Sequence, residues 1–173
     1  MKTIAISGYS GSGKTTLIEK VIPELVLSGL KVSLIKHAHH EFDIDQPGKH
    51  TWTHREAGAT EVMIASGRRW ALMHELREVP EPSLDELLAH LSPCDLVIIE
   101  GWKFHAVPKV EVHRKLAGKP LLFPNDPNVV AVATDEHLAT ALPQFALDDA
   151  PAVAQFIIQH LGLLRPGLQR VKD

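Results

Sequence analysis

One stretch constrains the fold more than any other. Residues 2–7 are short, apolar and β-branched, and the octapeptide GYSGSGKT follows at 8–15. Leu17, Ile18, Val21, Ile22, Leu25 and Val26 then recur at helical spacing. A strand that breaks into a glycine loop and re-emerges as a helix is a phosphate cradle in its usual setting. Glycine lets main-chain N–H groups crowd round an anion with φ > 0, where other residues meet steric cost. The pattern G-x-x-x-x-G-K-[ST] runs from Gly8 to Thr15. Gly8, Ser10, Gly11, Ser12, Gly13, Lys14, Thr15 and Thr16 are therefore the expected nucleotide ligands. Lys14 would bridge the outer phosphates and act in catalysis, and the Thr15 hydroxyl would hold Mg²⁺.

The strand KVSLIK at 31–36 completes a β-loop-α-β unit, so the sheet is expected to be mainly parallel. Pro23 falls within the helical run and predicts a kink or a freed carbonyl. Ser28-Gly29 predicts the helix end. A short helix is expected over 51–59, and a β-hairpin over 61–65 and 69–74 turning at Ser66-Gly67. Ser83 and Glu86 have capping-box spacing for a helix through Leu91. DLVII at 95–99 reads as a buried strand, 109–113 as another and 129–133 as the last. Residues 114–128 read as a mobile surface loop, and 150–161 as a closing helix. The predicted fold is α/β, a three-layer P-loop NTPase sandwich with a mostly parallel sheet and a hairpin extension. One domain is expected over 1–165, with a frayed tail at 166–173.

Two acids flank the DLVII strand. Ligands of open α/β sheets sit at the carboxyl ends of strands. Asp95 opens this strand and Glu100 follows it, roughly 16 Å apart at about 3.3 Å per residue. Glu100 is thus the metal-side carboxylate, and Gly101 would let the backbone approach the γ-phosphate. Asp135 ends the strand VVAVATD, where its carboxylate can accept two hydrogen bonds from guanine N1 and N2. The same residue also reads as an N-cap for a helix over 136–141.

HAHHEFDIDQPGKH, residues 37–50, leaves the second strand toward the same end of the sheet. His37, His39 and His40 with Asp43 and Asp45 could bind a transition metal, sense the γ-phosphate, or grip an anionic ligand. The loop also reads as merely polar and solvated. Lys36 and Lys49 favour an anion, and Asp45 is the preferred group for positioning an attacking water. Tyr9 stands where some dimeric ATPases place a second lysine, which disfavours that trans-acting arrangement.

Charge excludes little but helps. With 18 basic and 21 acidic residues, the chain offers no broad basic field to nucleic acid or an anionic membrane. Cys94 is the single cysteine, so neither disulfides nor a cysteine zinc cluster are expected. No apolar run approaches a membrane span, and the first strand leaves no room for a signal peptide. A cytoplasmic protein is the expectation.

Taken together, GYSGSGKTTLIEKVIPEL, LIKHAHHEFDIDQPGKHTWTHREAGA, RRWALMHE, DLVIIEGWK and VVAVATD resemble the molybdopterin-guanine dinucleotide biosynthesis adapter family, MobB. The resemblance covers most of residues 1–135. It implies GTP and Mg²⁺ as ligands, weak GTPase activity and a homodimer. It further implies partnership with the molybdenum cofactor guanylyltransferase, and with molybdopterin or its guanine dinucleotide, which Lys36, His37, His39, His40 and Lys49 would face. Two other readings compete. A small-molecule kinase would need an arginine lid, for which Arg68, Arg69 and Arg114 are too scattered. A GTP-dependent metal-delivery protein would use the histidines.

Overall fold

A computed structural model describes residues 1–38 and 42–164. His39 and His40, two of the predicted loop residues, lie outside the described residues, as does the tail beyond Leu164. The chain divides into two compact units: residues 1–37 with the segment from 91 onward, and residues 38–90.

The first unit holds a six-stranded sheet ordered β2-β5-β1-β6-β7-β8. Its strands are β1 (Lys2–Ser7), β2 (Val32–Lys36), β5 (Leu96–Glu100), β6 (Lys109–His113), β7 (Val129–Thr134) and β8 (Gln144–Ala146). All pairings are parallel. β1 and β5 read as near-continuous apolar runs because parallel strands are covered on both faces. Helix α1 (Lys14–Leu27) lays Leu17, Ile18, Val21 and Leu25 on Ile4, Ile6, Ile98 and Val110. Helix α4 (Ala150–His160) adds Val153, Ala154 and Ile157 to that core.

α1 runs on through Pro23, which has no N–H to offer the carbonyl one turn earlier. Its end is a Schellman motif. The N–H of Leu30 donates to the Leu25 carbonyl and that of Gly29 to the Val26 carbonyl, with Gly29 at φ 78°.

The second unit contains α2 (His50–Glu56), the antiparallel hairpin of β3 (Glu61–Ala65) and β4 (Trp70–His74), and α3 (Leu84–Ala89). The capping box is formed: Ser83 Oγ accepts the Glu86 N–H, and the Glu86 carboxylate accepts the Ser83 N–H. Arg55 knots this unit together. Its guanidinium donates to Asp43, to Asp45 at 3.1 Å and to Glu75 at 2.5 Å.

Two expectations for the later chain fail for physical reasons. Segment 114–128 is fastened to the interior. Lys109 and Glu111 on β6 are fully buried, and both point their charges into it. Lys109 Nζ pairs with Asp126 at 2.9 Å and donates to the Val107 and His105 carbonyls. Glu111 accepts the N–H groups of Leu122 (2.7 Å) and Phe123 (2.9 Å). Burial pushes the Glu111 carboxyl up, and those two amides pull the other way. Leu122 then joins Val129, Val132 and Leu138 in a second small core. The helix expected over 136–141 is absent. Gln144 clamps Leu138 instead, accepting its N–H and donating to its carbonyl, both at 2.9 Å. β8, unforeseen in the sequence, follows from that clamp and extends the sheet.

Candidate functional site

The cradle forms where β1 gives way to α1. Gly8, Gly11 and Gly13 take φ of 153°, 80° and 101°. Gly8 has no alternative: a Cβ there would stand 2.3 Å from the Val112 carbonyl of β6. Gly13 is the N-cap of α1, which has no side-chain cap and no acid in its first turn. The positive end of that helix therefore faces the loop with no acid of its own first turn to offset it. Ser12 Oγ is buried and has no hydrogen-bond partner among the described residues. Such a hydroxyl is costly unless a ligand or water meets it.

Charge gathers on the β5 side of the cradle. Thr15 Oγ1 donates to Glu100 Oε1 at 2.6 Å, and Lys36 Nζ lies 3.4 Å from the same oxygen. Glu100 ends β5, in register with Ile6 of β1 and Lys36 of β2, and is 6% exposed. Lys14 Nζ donates to the Tyr9 carbonyl at 2.9 Å. Burial depresses the Lys14 ammonium below the usual lysine range; Glu100 opposes this, while Lys103 and Lys36 add to it. Lys36 and Lys103 act on Lys14 where one carboxylate, Glu100, stands, and the excess of positive charge suits a polyanion. A hydroxyl beside a single carboxylate is also a donor set that fits Mg²⁺, an ion that keeps waters and phosphate oxygens as its other ligands.

Asp95 stays away from this end. Its carboxylate accepts the Lys31 N–H at 2.7 Å, at the opening of β5. Gly101 departs from its expected use: its N–H goes to the Ile6 carbonyl, and Ser7 Oγ donates to its carbonyl at 2.6 Å. Its φ of 95° is what calls for glycine, since a Cβ there would meet the His37 carbonyl only at an ordinary contact distance of 3.5 Å. His37 stacks on the buried Trp102, with ring centroids 4.9 Å apart. Trp102 itself takes φ 50°.

Asp135 follows β7, with Oδ1 accepting the Lys115 N–H at 2.8 Å rather than capping a helix. Asp45 and Lys49 belong to the second unit. Both Asp45 oxygens are engaged, one by Thr51 at 2.7 Å and one by Arg55 at 3.1 Å. Sequence reasoning passed over Lys103, whose ammonium sits 4.6 Å from the Tyr9 ring centroid. It also dismissed Arg114, which the fold brings to the loop: a Cβ at Gly13 would stand 3.5 Å from Arg114 Nη2. Its position directly after a strand end was the available signal.

The profile of the family described as molybdopterin guanine dinucleotide synthesis protein B, MobB, matches residues 3–135. The chain belongs to the MobB family. A molybdopterin-guanine dinucleotide biosynthesis adapter protein of Haemophilus influenzae is 44% identical to this MobB chain over 158 residues, covering 89% of the chain and 86% of the relative. Its Escherichia coli K12 counterpart is 38% identical, covering 91% and 92%. A crystal structure of molybdopterin-guanine biosynthesis protein B superposes with TM-score 0.74 at 30% identity, over 92% of this chain and 99% of that one. A MobB homologue from Bacillus stearothermophilus gives TM-score 0.70 at 27% identity, over 95% and 100%. Among the described residues, no group of three or more His, Cys, Asp or Glu is placed to hold a metal ion.

Proposed function

We propose that this MobB chain is a GTP- and Mg²⁺-binding adapter. It assists a guanylyltransferase that attaches GMP to molybdopterin, and it hydrolyses GTP slowly. The observation that carries the reading is the Thr15 hydroxyl set 2.6 Å from the Glu100 carboxylate, at the mouth of a glycine cradle. In it, main-chain N–H groups of residues 8–16 hold the β- and γ-phosphates, with Ser10 and Ser12 lining the turn. Lys14 moves from the Tyr9 carbonyl to the outer phosphate oxygens. Thr15 and Glu100 would hold Mg²⁺, which would supply charge neutralisation to the phosphates. Thr15 and Glu100 orient that end of the nucleotide, and Asp135 accepts from guanine N1 and N2. The engagement of Asp45 by Thr51 and Arg55 fits a slow hydrolase, because a carboxylate so held is poorly free to position water.

The adapter works in the cytoplasm, as a homodimer that also meets molybdopterin or its guanine dinucleotide. Lys36, His37, His39, His40 and Lys49 are the proposed contacts for that second anion. Met63, Ile64, Trp70 and Leu72 on the hairpin are exposed apolar side chains of the kind that partners cover. Among the described residues, no helix is long and apolar enough to cross a membrane.

Titration calorimetry with Mg·GTP and Mg·ATP, with and without the transferase, tests the reading. It expects GTP to bind more tightly than ATP, Lys14→Ala to abolish binding, and the transferase to bind the GTP-loaded chain. No retention of either purine triphosphate overturns it.

A further inference from the structure

The sheet order gives the cradle two unlike sides. β5 and β2, with Glu100 and Lys36, lie to one side of β1, and β6 and β7 lie to the other. If the metal-bound outer phosphate sits on the β5 side, the nucleoside must extend over the ends of β6 and β7. Arg114 and Asp135 are the first residues past those two ends. Arg114 rests on the last glycine of the cradle, its Nη2 3.5 Å from where a Gly13 Cβ would be. Its Nη1 is 4.0 Å from Asp135 Oδ2, and its side chain is 43% exposed.

The neighbouring groups narrow the roles. Glu136 is already held by His113 (3.2 Å) and Lys115 (3.1 Å). Asp135 has one oxygen fixed by the Lys115 N–H, while the other, among the described residues, meets the loose approach of Arg114. A planar cation thus lies between the phosphate cradle and a carboxylate edge. A guanidinium stacks on an aromatic face through both its charge and its flatness.

We propose that Arg114 is the purine-stacking residue of the nucleotide site, lying against the face of the base whose edge Asp135 reads. This rests on the reading of the glycine loop as a triphosphate site. Arg114 makes the site prefer a nucleotide over bare polyphosphate, because its contact is with the ring and not with the phosphates.

The test is calorimetry of the full chain with Mg·GTP and with Mg·tripolyphosphate, using wild type, Arg114→Ala and Arg114→Lys. Melting curves check that the variants fold. Arg114→Ala should weaken GTP by roughly five- to thirty-fold, the span expected of a partly desolvated cation over a ring. Tripolyphosphate should change by less than about twofold, since the cradle is intact. Arg114→Lys should recover little, for want of a flat face. Equal losses for both ligands would make Arg114 a phosphate ligand and overturn the proposal. Unchanged GTP affinity, or full recovery with lysine, overturns it too. Wild type that binds neither ligand fails at the earlier step, refuting the triphosphate reading itself and this inference with it.

Discussion

Gly8→Ala and Gly11→Ala should behave very differently, although both remove a glycine of the same loop. At Gly8 the φ of 153° lies in a region only glycine populates freely, a strain of about 1–3 kcal/mol for alanine. The new Cβ would also be 2.3 Å from the Val112 carbonyl and 2.8 Å from Ser12 Oγ. The first neighbour is backbone of a central strand, so overpacking adds about 1–3 kcal/mol. The sum is centred near about 4 kcal/mol, or a fall in Tm of about 8–16 °C for a chain of this size. At Gly11, φ is 80° and none of the described residues stands within 4 Å of the added methyl. The left-handed penalty of about 1 kcal/mol then stands alone, equivalent to about 2–4 °C. Calorimetric melting of the three proteins gives the comparison directly. Triphosphate titration should show binding lost in Gly8→Ala and largely kept in Gly11→Ala. If Gly8→Ala melts within about 3 °C of wild type, or the two variants match, the steric account is wrong.

Three further outcomes are expected. Lys14 is depressed mainly by burial, so its charge is lost as pH rises through a value below the ordinary lysine pKa; affinity for tripolyphosphate should therefore fall in the alkaline range below pH 10.5, and Lys36→Met with Lys103→Met should move that fall to higher pH. Lys109→Met should destabilise the fold by about 3 kcal/mol, because Asp126 and two carbonyls lose their partner, and adding Asp126→Leu should restore part of it in denaturant titration. Asp135→Asn should shift preference from GTP toward XTP in competition binding, since an amide offers xanthine one donor and one acceptor where the carboxylate offers guanine two acceptors.

The glycine loop, α1, the hairpin and the capping box were legible because each rests on local chemistry: φ > 0 at set positions, 3.6-residue spacing, a Ser and a Glu three apart. Glu100 could be separated from Asp95 by strand direction alone, and it lies 2.6 Å from the Thr15 hydroxyl. What the residues concealed was tertiary. KVEVH looks half-solvated, yet every one of its five side chains is buried, because the segment it holds folds back over it. Asp135-Glu136 looks like a helix start, yet Gln144, six positions beyond Leu138, bonds the backbone of Leu138 and draws the chain into a strand. Arg114 was set aside as one of several dispersed arginines. Only the order of β1, β6 and β7 brings it to Gly13.

The inward charges of β6 have a bearing on how this chain meets proteases. Composition marks the stretch from Lys115 to Asn128, with its lysines, prolines and asparagines, as the natural place to nick. Salt-bridged at Asp126 and hydrogen-bonded at Leu122 and Phe123, it is instead shielded at its roots. Trypsin should spare the Lys115–Leu116 bond until the sheet itself opens, and in Lys109→Met that bond should become one of the first to be cut.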